Sequence, residues 1–404
     1  MLPKDWHRST LGEIARIASG GTPDRSKPEY WGGDIPWVTT GEIQFNTITD
    51  STEKITAAGL QNSSAKRFPP GTLLMAMYGQ GKTRGQVAQL GIEAATNQAC
   101  AAIQLQNSYD IDFYFQYLTS QYEALRELGN SGTQKNLNGG IIKGVDVPVP
   151  PYGEQRRIAK ILSTWDQAIA TTRRLVANSR RQVQALLQQL LIRPAARGEW
   201  DMFPIGTVSE RIQNRANEGE LLPILMISSK SGFVRQDEKY SRFMAGKSVE
   251  NYIALDRGEF AYNKGNSKLY EFGCVFPLKT LERGLVPNVY VCFKLSPGLN
   301  PAFYEHLFRA DYLHDQLGAL VNTGVRNNGL LNIRPADFLA CQVPIPPIDV
   351  QNRIAAVLTS AANWVELRER DLDLLKQEKT ALMSQLLTGK RRVKLPQAAT
   401  GAQA

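Results

Sequence analysis

The sequence holds only four cysteines and three histidines in 404 residues. Cys100, Cys274, Cys292 and Cys341 form no CxxC pair, which excludes a zinc knuckle and reads as free thiols in a reducing compartment. His7, His306 and His314 have no metal-ligand spacing with them, so no metal site is expected. His306 and His314 read as ordinary helix-surface residues. No apolar run approaches the length that crosses a bilayer. The opening MLPKDWHRST lacks the apolar core of a signal peptide, and a cytoplasmic protein is expected. Negative charge is also short, with 38 Asp plus Glu against 47 Lys plus Arg, a net +9. That excess points to a polyanionic partner, nucleic acid first, although the same charge spread thinly would serve solubility. A 42% hydrophobic content fits a globular chain with real cores.

One stretch imitates an enzyme. AMYGQGKTRG (76–85) places Gly81, Lys82 and Thr83 behind a glycine-rich loop, loosely in the pattern of a phosphate-binding loop, with Ala76 at the first glycine position. Such a loop needs an apolar helix after it. The segment after Thr83 is broken by Gly85 and Gly91 into short β-type runs, so strand and turn are expected instead.

The chain repeats itself. VPVPPYGEQRRIAKIL (147–162) aligns without a gap on VPIPPIDVQNRIAAVL (343–358), and the register holds down to ALLQQLL over ALMSQLL. Each copy then runs into a long helical segment. In the first, Ile158, Leu162, Trp165, Ile169, Val176, Val183, Leu186 and Leu190 step by three and four, with Thr172 and Ser179 in the gaps. In the second, Ile354, Leu358, Ala361, Val365, Leu372, Leu375, Leu382 and Leu386 keep the same frame. Seams this narrow belong to a coiled coil rather than to a helix lying on one large core. Two such seams related by a pseudo-two-fold predict antiparallel pairing of helices roughly 60 Å long. The first helix is rich in arginine and the second carries most of the acids, a bias that favours pairing between them. The alternative is that each stripe docks on its own domain.

Ahead of each helix lies a block of about 150 residues, an ordinary domain size. The blocks share less than the helices do, yet both carry glycine-punctuated strands and both end in a stretch rich in Gly and Asn. A common scaffold bearing two different recognition surfaces is the division of labour this implies. The boundaries read as residues 1–150 for the first block, 151–197 for its helix, 198–346 for the second block and 347–392 for its helix. Residues 393–404 read as a disordered tail.

On the two PxPPxxxQxxIAxxL helix entries and the early GGTPDRSKPEYWGGDIPWVTTGEI (20–43), the chain resembles the DNA-specificity subunits of Type I restriction–modification systems. The resemblance runs from Trp6 to about Arg392. It departs at Val350, which stands where the first copy has Glu154. It implies an α+β fold with two globular mixed α/β target-recognition domains, separated by two long helices paired as an antiparallel coiled coil. It implies a non-catalytic reader, each domain taking one half of a bipartite, asymmetric site in double-stranded DNA while the helices set the gap. The implied partners are methyltransferase subunits, two of them, and restriction (translocase) subunits. S-adenosylmethionine, ATP and Mg²⁺ would belong to those partners and none to this chain. The residues agree: the double prolines at 69–70, 150–151 and 346–347 lack the Asp/Asn-Pro-Pro-aromatic setting of an amino-methyltransferase. No cluster of catalytic or metal-ligating spacing accompanies them.

The resemblance implies a DNA-contacting loop at the stretch that imitates a phosphate loop. In the second block its counterpart is AYNKGNSKLYEFGCV (261–275), which has no such triplet. The candidates are Gln80, Lys82, Arg84 and Gln86 in the first block, with Lys264, Asn266, Ser267 and Lys268 in the second. Lys and Arg neutralise phosphates, and Arg, Asn and Gln can make paired contacts to base edges. A second cluster precedes each helix: Lys135, Asn136 and Asn138 (with Gln134), against Arg326, Asn327 and Asn328. Glycine and asparagine there could equally just cap turns. Tyr30, Trp31 and Trp37 read as core. The competing reading is a basic protein-interaction scaffold that binds DNA without sequence preference.

Overall fold

The structure, a computed structural model, describes residues 2–79, 81–128, 136–217, 220–239, 247–321 and 331–393. The chain forms two compact units, one from residues up to Arg173 together with those from Arg370 on, the other from Arg174–Glu369. The division cuts through both long helices, Tyr152–Leu187 and Ile348–Leu386. The helices are thus shared between the units and do not stand as separate modules.

In the first unit the main sheet orders its strands Ala15–Ser19, Cys100–Leu105, Leu73–Ala76, Val87–Leu90 and Thr47–Ile48. The first four pair antiparallel. In the second unit Ser209–Ile212, Val291–Leu295, Phe260–Asn263 and Cys274–Pro277 stand in the same order with the same antiparallel pairings. The duplication read from the helix entries therefore extends through the blocks. Both sheets are covered on two faces, as alternation along a strand dictates. Leu73 and Met75 enter one core and Leu74 and Ala76 another; Phe260 and Tyr262 likewise part from Ala261.

The GGTP region of the first unit feeds a smaller sheet of Glu53–Ile55, Trp31–Val38, Ala94–Thr96 and Arg67–Phe68. A Cβ at Gly20 would collide with the Thr96 carbonyl, which explains the glycine there. Trp37 is buried with its indole N–H on the Gly21 carbonyl at 2.9 Å, and Tyr30 is buried too. Trp31 is only half-buried and carries the Arg25 guanidinium 3.8 Å from its ring centre.

The helix entry is built the same way twice. Each diproline comes after a strand, Asp146–Val149 or Gln342–Ile345, paired to the start of its own block. Gln155 is 1% exposed; its Oε1 accepts from the Asp110 amide at 2.8 Å and its Nε2 donates to the Pro150 carbonyl at 2.8 Å. Gln351 makes the matching bonds to the Asn300 amide (2.9 Å) and the Pro346 carbonyl (2.8 Å). Asp110 and Asn300 each cap a helix with their side chains. The repeated glutamine therefore ties the cap of a block helix to the proline turn that starts the long one. Tyr114 and Tyr304 add a second tie, each donating to a proline carbonyl, Pro148 or Pro344, at 3.1 Å.

Within each unit the two long helices run antiparallel. In the first, Ile158 and Leu162 share a core with Met383, Leu386 and Leu387, and Lys379 meets Asp166 at 2.6 Å. In the second, Leu187 and Leu191 share a core with Ile354 and Leu358, and Arg180 meets Glu369 at 2.8 Å. The antiparallel expectation is met. Of the predicted seam, Ile158, Leu162, Ile169, Val176, Ile354, Leu358, Leu372 and Leu386 are buried, while Trp165, Val183, Leu186, Leu190, Val365, Leu375 and Leu382 are half-buried. Leu187, Leu191, Met383 and Leu387 are buried one position on, because each helix end leaves the seam for the core of a block. A single wide turn follows at Gln188–Ile192, at the end of the first helix. The ion pairs only half agree with the charge bias, since the second helix supplies the lysine in one. At these exposures each contributes at most about 1 kcal/mol.

His306 departs from its reading as a surface residue. It is 8% exposed, with Nε2 2.9 Å from the Thr359 hydroxyl, and burial lowers its pKa. The tail from residue 394 lies outside the described residues. No helix among the described residues is long and apolar enough to cross a membrane.

The first unit closes with a cluster that has no counterpart among the described residues of the second. Arg392 donates Nε and Nη2 to the buried Glu154 carboxylate at 2.8 Å each and pairs with Asp5 at 2.7 Å. Trp6 Nε1 donates to the same Glu154 at 3.0 Å. Arg392 holds Asp5 below the usual carboxylate range. The second copy puts Val350 at the position of Glu154, packed against its core. Arg392→Ala should therefore cost about 1–3 kcal/mol in urea unfolding, by stranding a buried carboxylate beside a half-exposed arginine site. Adding Glu154→Val should recover part of that loss; no recovery would show that Arg392 acts through packing instead.

Candidate nucleic-acid interface

In each unit the third and fourth strands of the sheet order are joined by a glycine-rich hairpin, residues 77–86 in the first and 264–273 in the second. These are the two stretches aligned from sequence, and they occupy equivalent places. The first is not a phosphate loop. The Gly85 amide donates to the Ala76 carbonyl at 2.9 Å, and the strand Val87–Leu90 comes next, where a helix N-terminus would be required. The likeness to a nucleotide site is confined to three residue types.

Lys82 is exposed at the hairpin tip, whereas Arg84 is half-buried and donates Nη2 to the Arg126 carbonyl at 3.0 Å. Gln86 is half-buried, its amide on the Thr83 carbonyl at 3.0 Å. Of the first-block candidates Lys82 is the most available to a ligand, and Arg84 is partly engaged in holding the loop. Gln80 lies outside the described residues.

In the second hairpin the Asn263 side chain accepts from the Gly265 amide at 3.0 Å. A tight turn then spans 267–270, with Ser267 N on the Tyr270 carbonyl at 2.9 Å and Tyr270 N on the Ser267 hydroxyl at 3.1 Å. Asn266, Lys268 and Leu269 are exposed around it, so the turn presents a carboxamide, an ammonium and an apolar side chain together. Lys264 sits at the hairpin's base, half-buried.

Leu137 and Leu331 meet the hairpins. The Leu137 amide donates to the Met77 carbonyl at 3.0 Å, and the Leu331 amide donates to the Lys264 carbonyl at 3.0 Å. Asn136 is thereby brought to the base of the first hairpin. Asn138 caps the helix Gly139–Lys143, its Oδ1 accepting from the Ile141 amide at 2.9 Å, so the capping role accounts for it. Lys135, Arg326, Asn327 and Asn328 lie outside the described residues.

Two residues that no motif marks complete the first site. Tyr122 donates its hydroxyl to the Lys82 carbonyl, and Arg126 Nη2 donates to the Gly81 carbonyl at 2.8 Å. They lie on the helix Tyr122–Glu127, some 40 residues on, and only tertiary structure brings them here. No group of side chains able to hold a metal ion occurs among the described residues. The cysteine thiols are buried, with Cys100, Cys274 and Cys292 pushed up to about 12 by desolvation. None is available as a nucleophile.

Residues 3–178 match the family model for the Type I restriction modification DNA specificity domain. Over nearly the full chain, the sequence is 23% identical to the Type I restriction enzyme MjaIX specificity subunit of Methanocaldococcus jannaschii, covering 97% of this chain and 95% of that one. It is 26% identical over 170 residues to the EcoR124I/EcoR124II specificity subunit of Escherichia coli, 40% of this chain and 41% of that one. Among solved structures, the Type I restriction–modification S subunit from M. genitalium superposes with a TM-score of 0.60 at 14% identity, over 96% of this chain and 99% of its own. A chain from a study of complex assembly in the type I R-M system gives 0.57 at 16% identity, over 97% and 100%.

The second hairpin closes through Gly273, at φ 90°, where a Cβ would stand 2.5 Å from the Asn263 carbonyl and 2.6 Å from the Tyr262 ring. Gly258 has a similar φ of 87° with open space around it. Gly273→Ala should therefore destabilise the chain by about 3 kcal/mol and Gly258→Ala by about 1 kcal/mol. Equal losses in thermal unfolding would show that φ alone decides and the close approach does not.

Proposed function

We propose that this chain, which belongs to the DNA-specificity subunits of Type I restriction–modification systems, reads a bipartite, asymmetric sequence in double-stranded DNA. Each block takes one half-site, and the chain performs no chemistry itself. The observation that carries this reading is the pair of equivalent hairpins: one position in a duplicated sheet, two different sets of cationic and carboxamide side chains. A duplicated frame with divergent tips is what reading two different half-sites requires. The paired helices act as the spacer that fixes the gap. Methyltransferase subunits dock on the helices and blocks, and restriction subunits join them. S-adenosylmethionine serves methyl transfer, and ATP with Mg²⁺ serves translocation, in those partners.

The phosphates supply most of the affinity and the base edges the selectivity, so Lys82 and Lys268 suit the first task and Asn266 the second. Co-expression with the methyltransferase subunit, with sequencing of host DNA for methylated adenine, should yield one motif of two defined halves and a constant gap. A matched heptad inserted in both helices, after Val176 and after Leu372, preserves the seam and adds about 10 Å. It should lengthen the gap by about three base pairs and leave both halves unchanged. One contiguous motif, or a gap indifferent to the insertion, would remove the spacer reading.

A further inference from the structure

The first hairpin has few side chains with which to fix its own shape. Gly79, Gly81 and Gly85 all have positive φ, 138°, 74° and 81°. Glycine reaches these conformations freely and leaves them as freely, so the loop's own sequence does not hold one arrangement. The helix Tyr122–Glu127 holds it from outside. The Tyr122 hydroxyl binds the Lys82 carbonyl, and Arg126 Nη2 binds the neighbouring Gly81 carbonyl at 2.8 Å. Arg84 returns the contact, Nη2 to the Arg126 carbonyl at 3.0 Å. Tyr122 is itself set edge-on against Phe45 at 5.1 Å, and the Arg126 guanidinium lies 5.4 Å from the Tyr122 ring. Gly85 completes the fit, since a Cβ there would stand 3.2 Å from Arg126 Cγ.

We propose that Tyr122 and Arg126 are positioning residues for sequence discrimination by the first block. They bind the peptide carbonyls on either side of the Lys82 Cα and so fix where Lys82 and its neighbours are presented. This role rests on the reading of one half-site by each block. Its physical basis is a difference in tolerance. Base-edge contacts demand placement within about 0.5 Å and 10–20°. Attraction to phosphates falls off gradually and survives a loosened loop. Removing the brace should therefore broaden the sequence read before it abolishes binding, which general unfolding of the block would not do.

The test uses the chain co-expressed with its methyltransferase partner and compares methylated-adenine motifs. In Arg126→Ala, discrimination at one or more positions of one half-site should fall about tenfold, the scale of a single lost base contact. The other half-site should stay fully read. Tyr122→Phe keeps the ring against Phe45 and removes only the hydroxyl, so the same half should relax to a smaller extent. Ala124→Ser, at an exposed position on the same helix, should match the wild type. Should Arg126→Ala accumulate no active complex, Tyr122→Phe decides alone. Unchanged motifs in both variants, or equal relaxation of both halves, overturn the proposal. A wild-type motif without two halves would instead overturn the parent function.

Discussion

A helix of 36 or 39 residues with a narrow apolar seam cannot bury itself against one domain of ordinary size, and this constraint shapes the rest of the molecule. Each long helix begins in the core of its own block, where Ile158 and Leu162, or Ile354 and Leu358, are covered. Each ends in the core of the unit built on the other block, where Leu187 and Leu191, or Leu386 and Leu387, are covered. Neither unit is therefore a contiguous piece of chain. Cutting the sequence at Pro346-Pro347 would remove part of both cores and cutting at Pro150-Pro151 would divide the first, so neither unit is built from one half of the sequence alone.

The entry to each helix must then be held firmly, because an error in direction grows along its length. Proline alone sets an extended approach but supplies no donor. Gln155 and Gln351 supply what is missing, bridging a proline carbonyl to the capped amide of a block helix. That bridge explains why the glutamine persists in both copies while its neighbour diverges from Glu154 to Val350. The glutamine bonds to backbone, which both copies share. Glu154 bonds to the side chains of Trp6 and Arg392, and an apolar residue fills the corresponding place once those partners change.

Much of this was legible in the sequence, and the limits have physical causes. The ungapped repeat gave the two helices and their antiparallel pairing, because seam periodicity is a local property that survives in residue order. The equivalence of GQGKTRG and KGNSKLYEFG was legible from the strands around them, and the sheet order bears it out. What order could not show was contact across the fold. The one-residue shift of burial to Leu187 and Leu191 depends on where the block core lies. The burial of His306 depends on Thr359, 53 residues away. Tyr122 and Arg126 carry no motif, and only the folded chain brings them to the hairpin.

The hairpin that imitates a phosphate loop shows why residue types mislead where frames do not. A phosphate loop turns its amides toward a ligand and is stabilised by the helix it opens. Here the glycines bend a strand-to-strand connection, the Gly85 amide is used within the hairpin, and two carbonyls are held by a helix from elsewhere in the block. The second hairpin reaches a fixed shape by another route, a Ser267–Tyr270 turn with the Tyr270 hydroxyl on the Arg309 carbonyl at 3.3 Å. One sheet position thus carries two loops with unrelated internal bonding, each braced by a helix that lies after the sheet in the chain. Among the described residues, bracing from outside leaves the exposed side chains of Lys82, Asn266 and Lys268 out of the bonds that hold the loops, and that freedom lets two copies of one frame present different chemistry.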